Sequence, residues 1–205
     1  VVKETVFPSD GSLGQNHHVA PIHPEYFELP PLERDLDQAR RLLEATGNST
    51  LDLKIVTGNT EGIWHQKVCE ALRDQLRDVG VRLEIEVMPP ATYWAMWDKV
   101  SLGATPWTHR PLGTQALSLG YRSNVPWNET HFSSQAFDRA LDEAETTLDP
   151  AQRKAKMELV EKILQDACLM WQPVFRPVYM LVAKTVHGIA AHPTQFHQFN
   201  RVWMG

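Results

Sequence analysis

What this sequence lacks removes several classes of function before any motif is read. No apolar run approaches the ~20 residues needed to cross a bilayer, and Val1 is not followed by a basic stretch and an apolar one, so neither a span nor a leader is legible. Val1 standing where Met would open a gene product reads as the start of a piece of a longer protein, which leaves the parent's location open. Long like-charge runs are missing too. With 20 basic against 25 acidic residues and a formal charge of -5, there is no footprint for nucleic acid or an anionic membrane surface. There is no Gly-x-Ser-x-Gly elbow, no glycine-rich phosphate loop and no cysteine in a polar loop beside a histidine, so covalent catalysis has no visible centre. The paired acids Glu84 and Glu86, and Asp142, Glu143 and Glu145, read as solvated faces of a strand and a helix. The expectation is a non-enzyme without a cofactor.

Cysteine is scarce. Cys69 and Cys168 each fall in what reads as the apolar stripe of a helix, Cys69 beside Leu72 and Leu76, Cys168 beyond Ile163 and Leu164. Buried free thiols are expected, since a disulfide needs the two Cα atoms within about 7 Å.

What is present suits a folded chain: 205 residues, 42% hydrophobic and 22% charged, are enough to bury roughly 70% of the unfolded surface in one large or two small domains. Residues 1–34 carry Pro8, Pro21, Pro24, Pro30, Pro31, Gly11 and Gly14 without sustained periodicity, so they read as extended, irregular chain that wraps a surface or joins another part. Asp35 followed by Gln38 is an N-cap pattern opening a helix with Leu36, Ala39, Leu42 and Leu43 on its apolar face and Gly47 at its end. Leu51–Val56 alternates as a half-buried strand. A helix over 60–79 with Trp64, Val68, Cys69, Leu72, Leu76 and Val79 on one face stops at Gly80, and Val81–Val87 alternates strictly. Strand, helix, strand at this spacing predicts a right-handed parallel crossover and an α/β or mixed α+β fold.

Residues 91–99 suit a short helix whose Trp94 and Trp97 belong to the core. Beyond residue 128, Ser133 or Ser134 caps a helix bearing Phe137, Ala140, Leu141 and Ala144. Asp149-Pro150 then opens another, with Met157, Val160, Ile163 and Leu164. Residues 170–183 suit one or two strands, and the chain after His187 is again irregular.

The most informative stretch is 104–128, ATPWTHRPLGTQALSLGYRSNVPWN, which reads as a polar-aromatic loop region. Trp107, Tyr121 and Trp127 offer flat apolar walls, while His109, Arg110 and Asn128 offer polar contacts suited to a ligand. The alternatives are a surface ion pair for Arg110 and packing beneath its own loop for Trp127. A rival constellation is histidine: His17, His18 and His23 near one end, and His187, His192 and His197 at five-residue intervals near the other. Neither group has the i, i+4 helical spacing of a His-Glu-x-x-His site, and surface histidines without metal are the preferred reading.

The order of these pieces resembles the carboxy-terminal lobe of family 5 extracellular solute-binding proteins, which serve dipeptide, oligopeptide and nickel ABC importers. The similarity rests on the acid-initiated, Leu-Leu-containing helix 35–47, the strand 51–57, the helix-Gly80-Val81-strand passage over 72–86, and Phe137-Asp138 with Leu141 and Ala144. Asp149 with Arg153 and the 163–166 segment extend it, so that it covers roughly residues 35–185.

That resemblance implies a periplasmic-binding-protein-like lobe, a mixed β-sheet flanked by helices. Residues 1–34 would wrap it, residues 35–185 would form the second lobe, and residues 186–205 would return toward an amino-terminal lobe not contained in this chain. It also implies a small-molecule or peptide-like ligand, ABC permease subunits as partners, and a periplasmic or lipid-anchored extracellular parent.

Peptide-binding members carry an acid a few positions after a Trp like Trp107, where it meets the ligand's amino group. Here no Asp or Glu lies between Pro106 and Ser123, and Arg110 stands near the expected place. A guanidinium repels an ammonium but takes a carboxylate or phosphate through paired hydrogen bonds, so a ligand with an anionic group is expected. Two other readings are the sensing half of a cytosolic transcriptional regulator and, after that, a metal hydrolase using His17, His18 and His23.

Overall fold

The amino-terminal residues, expected to be irregular throughout, open with a short helix α1 (Val2–Val6) and contain a two-residue strand β1 (Ser12–Leu13). The computed structural model describes residues 1–7 and 11–205, so Pro8 lies outside the described residues. The rest of the described residues of this segment are irregular but far from superficial: Val19, Ala20 and Leu29 are core residues.

Helix α2 (Leu36–Ala45) starts where Asp35 predicts, with the Asp35 carboxylate accepting from the Gln38 N–H at 2.7 Å. Its apolar face contributes no buried residue, and Leu42 is exposed. Strand β2 (Leu51–Thr57) follows, then helix α3 (Trp64–Leu76), a 3-10 turn Arg77–Val79, and strand β3 (Val81–Val87). The helix begins later than its apolar pattern suggested because Gly62 sits at φ 129°, a left-handed conformation that a helix cannot contain. Gly80, at φ 83°, ends the turn as expected.

Strands β2 and β3 are parallel and in register from Leu51 opposite Val81 to Thr57 opposite Val87. The expected burial of β2 is corrected: Leu51 and Leu53 are exposed, and only the end of the strand, Ile55, Val56 and Thr57, is buried. Ile55, Leu83 and Cys69 form a small core between the sheet and α3.

Helix α4 is shorter than expected (Pro90–Trp94), and its core aromatic is Tyr93, fully buried, while Trp94 is exposed. Strand β4 (Gly103–Ala104) adds in parallel to β2, giving the order β3-β2-β4. The stretch 104–128 is not all loop. It contains helix α5 (Gly113–Gly120), whose Thr114, Ala116 and Leu117 are buried.

Ser134 caps α6 (Gln135–Glu145), and Asp149 caps α7 (Pro150–Asp166), as their sequences predict. These two helices and α5 enclose the larger core, built on Leu117, Tyr121, Phe137, Leu141, Met157, Val160 and Leu164, with Val19 inserted from the amino-terminal segment.

Past α7, Cys168 is exposed at φ 50°, which corrects its expected burial: the helix stops at Asp166, before the stripe reaches it. Cys69 is buried, and both thiols are free. The expected strands over 170–183 reduce to β5 (Val174–Phe175), antiparallel to β1, because Pro173 and Pro177 bracket the pairing. The last residues are more ordered than expected, with an antiparallel pair β6 (Val186–His187) and β7 (Trp203–Met204). Among the described residues, mixed strand direction is therefore spread over three sheets, the central one parallel throughout. No helix among the described residues is long and apolar enough to cross a membrane.

Candidate functional site

A cavity of about 940 Å³ opens beside the ends of β2 and β4, walled by residues from the amino-terminal segment, the 105–110 loop, α5 and the 169–176 strand region. Such a volume lies within the range of small-molecule sites. Trp107, His109, Arg110 and Tyr121, four of the six residues singled out from the sequence, line it together.

Trp107 is held from several sides. Its Nε1 donates to Glu129 Oε1 at 2.8 Å, and its ring lies at 5.2 Å from His18, 6.3 Å from Tyr121 and 6.2 Å from Trp127. Gly120, the last residue of α5, lets the indole approach: a Cβ there would stand 2.6 Å from the Trp107 ring. Tyr121 is buried, with its hydroxyl 3.0 Å from His18 Nδ1, and burial pushes that phenol well above its ordinary range. The His18 imidazole is crowded by protein and lies close to His17, which together lower it to about 3, so it is neutral at physiological pH.

Arg110 donates to the carbonyl oxygens of Thr108 at 3.2 Å and His109 at 3.4 Å. Among the described residues no carboxylate lies within ion-pair distance of it, so the surface-pair alternative finds no partner there. His109 stacks face to face on His23, with centroids 4.8 Å apart and an interplanar angle of 9°.

The other two residues are placed differently. Trp127 packs on Trp107 in a T-shaped pair but is 46% exposed and stands outside the cavity wall. Asn128 is buried and spends its amide on the loop itself: Nδ2 donates to the carbonyls of Arg122 and Phe132, and Oδ1 accepts from Thr130. Those bonds leave little of Asn128 to meet a ligand.

The sequence reading missed Glu129. No acid occurs between Pro106 and Ser123, yet the next loop brings this carboxylate to the same cavity. Thr105 Oγ1 donates to Oε2 at 2.6 Å and itself accepts from Tyr93 Oη at 2.7 Å, so a chain of donors runs Tyr93, Thr105, Glu129. Burial raises the Glu129 carboxyl above its usual range, the bonds from Thr105 and Trp107 pull it back, and Asp98 adds to the rise. The cavity thus holds polar groups of both signs. A lone acid directly after Trp127-Asn128, in a stretch otherwise without carboxylates from Ser123 to His131, was the available signal.

The surface reading of the histidines holds for His187, His192 and His197, which are exposed, and is corrected for the amino-terminal group. His17 and His23 are buried because the segment carrying them inserts into the core. The three amino-terminal imidazoles turn to different neighbours, His17 to Glu161, His18 to Tyr121 and His23 to the Arg110 carbonyl. Among the described residues no three His, Cys, Asp or Glu side chains converge as metal ligands.

Comparison with known proteins agrees with this architecture. Residues 2–129 match the family described as bacterial extracellular solute-binding proteins, family 5 Middle. The fold is similar to the Escherichia coli murein tripeptide binding protein MppA (TM-score 0.80, 19% identity, 99% of this chain and 42% of that one). It is similar to a dipeptide binding protein from Pseudoalteromonas sp. SM9913 in complex with Met-Leu (TM-score 0.80, 16% identity, 100% and 42%). It is also similar to a nickel ABC transporter protein from Bacillus halodurans (TM-score 0.69, 15% identity, 85% and 39%). The chain spans less than half the length of these proteins. No curated protein sequence matches it. The family match over more than half of the chain, on a periplasmic-binding-protein fold, carries the conclusion: this chain belongs to the family 5 bacterial extracellular solute-binding proteins.

Proposed function

We propose that this chain is the carboxy-terminal lobe of the solute-binding component of an ABC importer, a periplasmic or lipid-anchored protein without catalytic activity. It captures a small polar ligand between itself and an amino-terminal lobe and presents the closed form to the permease. Residues 1–34 and 186–205 flank the lobe formed by 35–185. Closure is a hinge motion whose equilibrium the ligand shifts by preferring the closed form.

The observation that supports this reading is the shared cavity, lined by Arg110, whose guanidinium is bonded to two backbone carbonyls, and by Trp107 and Tyr121. Arg110 takes an anionic or strongly accepting group of the ligand through charge-assisted hydrogen bonds. The aromatic rings take its apolar body. Glu129, at the Trp107 end, takes a hydrogen-bond donor, so the favoured ligand carries opposite polarity at its two ends, as amino acid conjugates and sugar acids bearing amines do.

A thermal-shift screen of the full-length protein against peptides, opines, sugar acids and metal chelates tests this, repeated with Arg110→Ala. A true ligand raises the midpoint because it binds the folded form. The expected hit carries a carboxylate or phosphate and loses most of its shift in Arg110→Ala. A best hit that is a simple cationic amine, unaffected by Arg110→Ala, overturns the reading.

A further inference from the structure

The hydrogen bonds around His23 determine which of its nitrogens carries a proton. Nδ1 lies 2.8 Å from the backbone N–H of Ala20, and Nε2 lies 2.9 Å from the carbonyl oxygen of Arg110. A backbone N–H can only donate and a carbonyl can only accept, so Nδ1 is bare and Nε2 bears the hydrogen. The ring is a neutral bridge from the amino-terminal segment to the loop that carries Trp107, His109 and Arg110. His109 closes over it in a parallel stack.

We propose that His23 is the positioning residue of this loop: its neutral Nε2–H form docks residues 107–112 in the geometry that presents Arg110 to the cavity, and its protonation undocks them. This rests on the reading of the cavity as the ligand site. A proton on Nδ1 would set one N–H against another at 2.8 Å, so the imidazolium cannot keep the Ala20 contact without turning, and the Arg110 carbonyl then loses its donor.

Burial favours the neutral form of His23, and the charged groups around it do not. His109 and Arg110 come from the docked loop, and His192, from the carboxy-terminal chain, adds to the positive surroundings of His109. Glu25 is the acid nearby, but its Oε1 already accepts from the Thr114 backbone N–H and hydroxyl at the start of α5. Burial lowers the His23 pKa, with the Arg110 carbonyl and Glu25 offsetting part of the effect. A group with a lowered folded-state pKa keeps its contribution above its ordinary value, about 6.5, and loses it as pH falls toward the lowered one. Docking therefore weakens on acidification.

Nitrogen-15 NMR of the chain at pH 7.5 is expected to show His23 protonated at Nε2 alone. Amide hydrogen exchange over 107–110 and 112, corrected for the intrinsic pH effect, is expected to quicken by up to about tenfold between pH 7.5 and 5.5. His23→Gln retains a donor for the Arg110 carbonyl and cannot titrate, so it should keep the protection and lose the pH response. His23→Leu should be unprotected at both pH values.

A titration with succinate, a minimal carboxylate probe, followed on the loop amide signals, supplies the functional arm. Succinate should shift these signals in wild type and His23→Gln, and about tenfold more weakly in His23→Leu and Arg110→Ala. An Nδ1–H or doubly protonated His23 at pH 7.5, or full loop protection in His23→Leu, overturns the proposal. So does a succinate response lost in Arg110→Ala but intact in His23→Leu. A response intact in Arg110→Ala overturns instead the reading of the cavity on which the proposal stands.

Discussion

The Trp107 indole donates to Glu129 across 2.8 Å and so joins two loops that lie 22 residues apart in sequence. Each partner fixes the other: the carboxylate orients the ring that walls the cavity, and the indole N–H is one of two donors that offset the burial of the acid. Trp107→Phe keeps a ring but removes one donor, leaving Oε1 of a half-buried carboxyl short of its partner. We expect a loss of about 1–3 kcal/mol in urea unfolding and a further rise of the Glu129 pKa, read from its carboxyl carbon-13 shift. An unchanged shift would show that the bond does not act on the acid.

The same carboxyl makes a pH prediction. Its folded-state pKa lies above the unfolded value, so the folded protein binds more protons between the two, and stability from this group falls as pH rises through that window. Glu129→Gln should flatten that limb of the stability profile while retaining an oxygen for Trp107 or Thr105. A profile parallel to wild type from pH 4 to 7 contradicts the assignment.

Gly120 is the position where local propensity and packing disagree most plainly. Alanine is ordinarily better than glycine in a helix by about 1 kcal/mol, and Gly120 is the last residue of α5. Its added Cβ, however, would stand 2.6 Å from the rigid Trp107 ring. Overpacking of this kind costs about 1–3 kcal/mol, so Gly120→Ala is expected to lower the thermal midpoint and to alter the tryptophan fluorescence spectrum. A midpoint raised as helix propensity alone dictates would mean that the ring is free to move away.

Much of the architecture was legible because its signals are local. Asp35, Ser134 and Asp149 announce helices through caps that need only three residues, and the alternation of 81–87 needs only seven. Helix α5 was not legible for the same reason. Its N-cap, Leu112, has no capping oxygen, and the acceptor for the Thr114 N–H is Glu25, 89 residues away. The exposure of Leu51 and Leu53 was hidden likewise, since a strand's alternation says which face it offers but not how far the covering helix reaches. In the candidate site, residue types on the loop were readable, but the convergence of Glu129, His18 and His23 on it depends on contacts between distant segments.

Asn128 illustrates a residue whose chemistry was visible and whose direction was not. Its amide ties together the carbonyls of Arg122 and Phe132, closing the turn that sets Glu129 beside Trp107. Asn128→Ala removes a donor from each of two part-buried carbonyls, that of Arg122 keeping only the Val125 N–H, and is expected to lower stability by about 1–3 kcal/mol. Saturating ligand should shift the midpoint of the variant by nearly as much as that of wild type. Selective loss of the ligand-induced shift at normal stability would return Asn128 to the binding surface.

Glu161 gives the strongest pH test of the fold. It is fully buried on α7, its Oε1 accepts from the Phe27 N–H at 3.2 Å, and its Oε2 lies 3.6 Å from Nε2 of the equally buried His17. Burial pushes the carboxyl up to about 8; the Phe27 bond and Lys154 oppose that rise, and Glu25 adds to it. Burial takes His17 down to about 4, with the Val19 backbone opposing. At neutral pH the pair is therefore an uncharged acid beside an uncharged imidazole. Because the Glu161 proton is held more tightly in the folded than in the unfolded chain, stability falls as pH rises from the ordinary carboxyl value to about 8. The His17 contribution runs the other way, declining as pH drops from the ordinary imidazole value toward about 4. Glu161→Gln keeps the oxygen that serves Phe27 and removes the titration. Its stability relative to wild type should climb across pH 5 to 8, with a slope approaching about 1.4 kcal/mol per pH unit. Urea unfolding at unit pH intervals reads that slope directly. Parallel curves would mean that Glu161 ionises inside the folded protein at no cost, and that its carboxylate finds a counter-charge which the 3.6 Å approach of a neutral His17 does not supply.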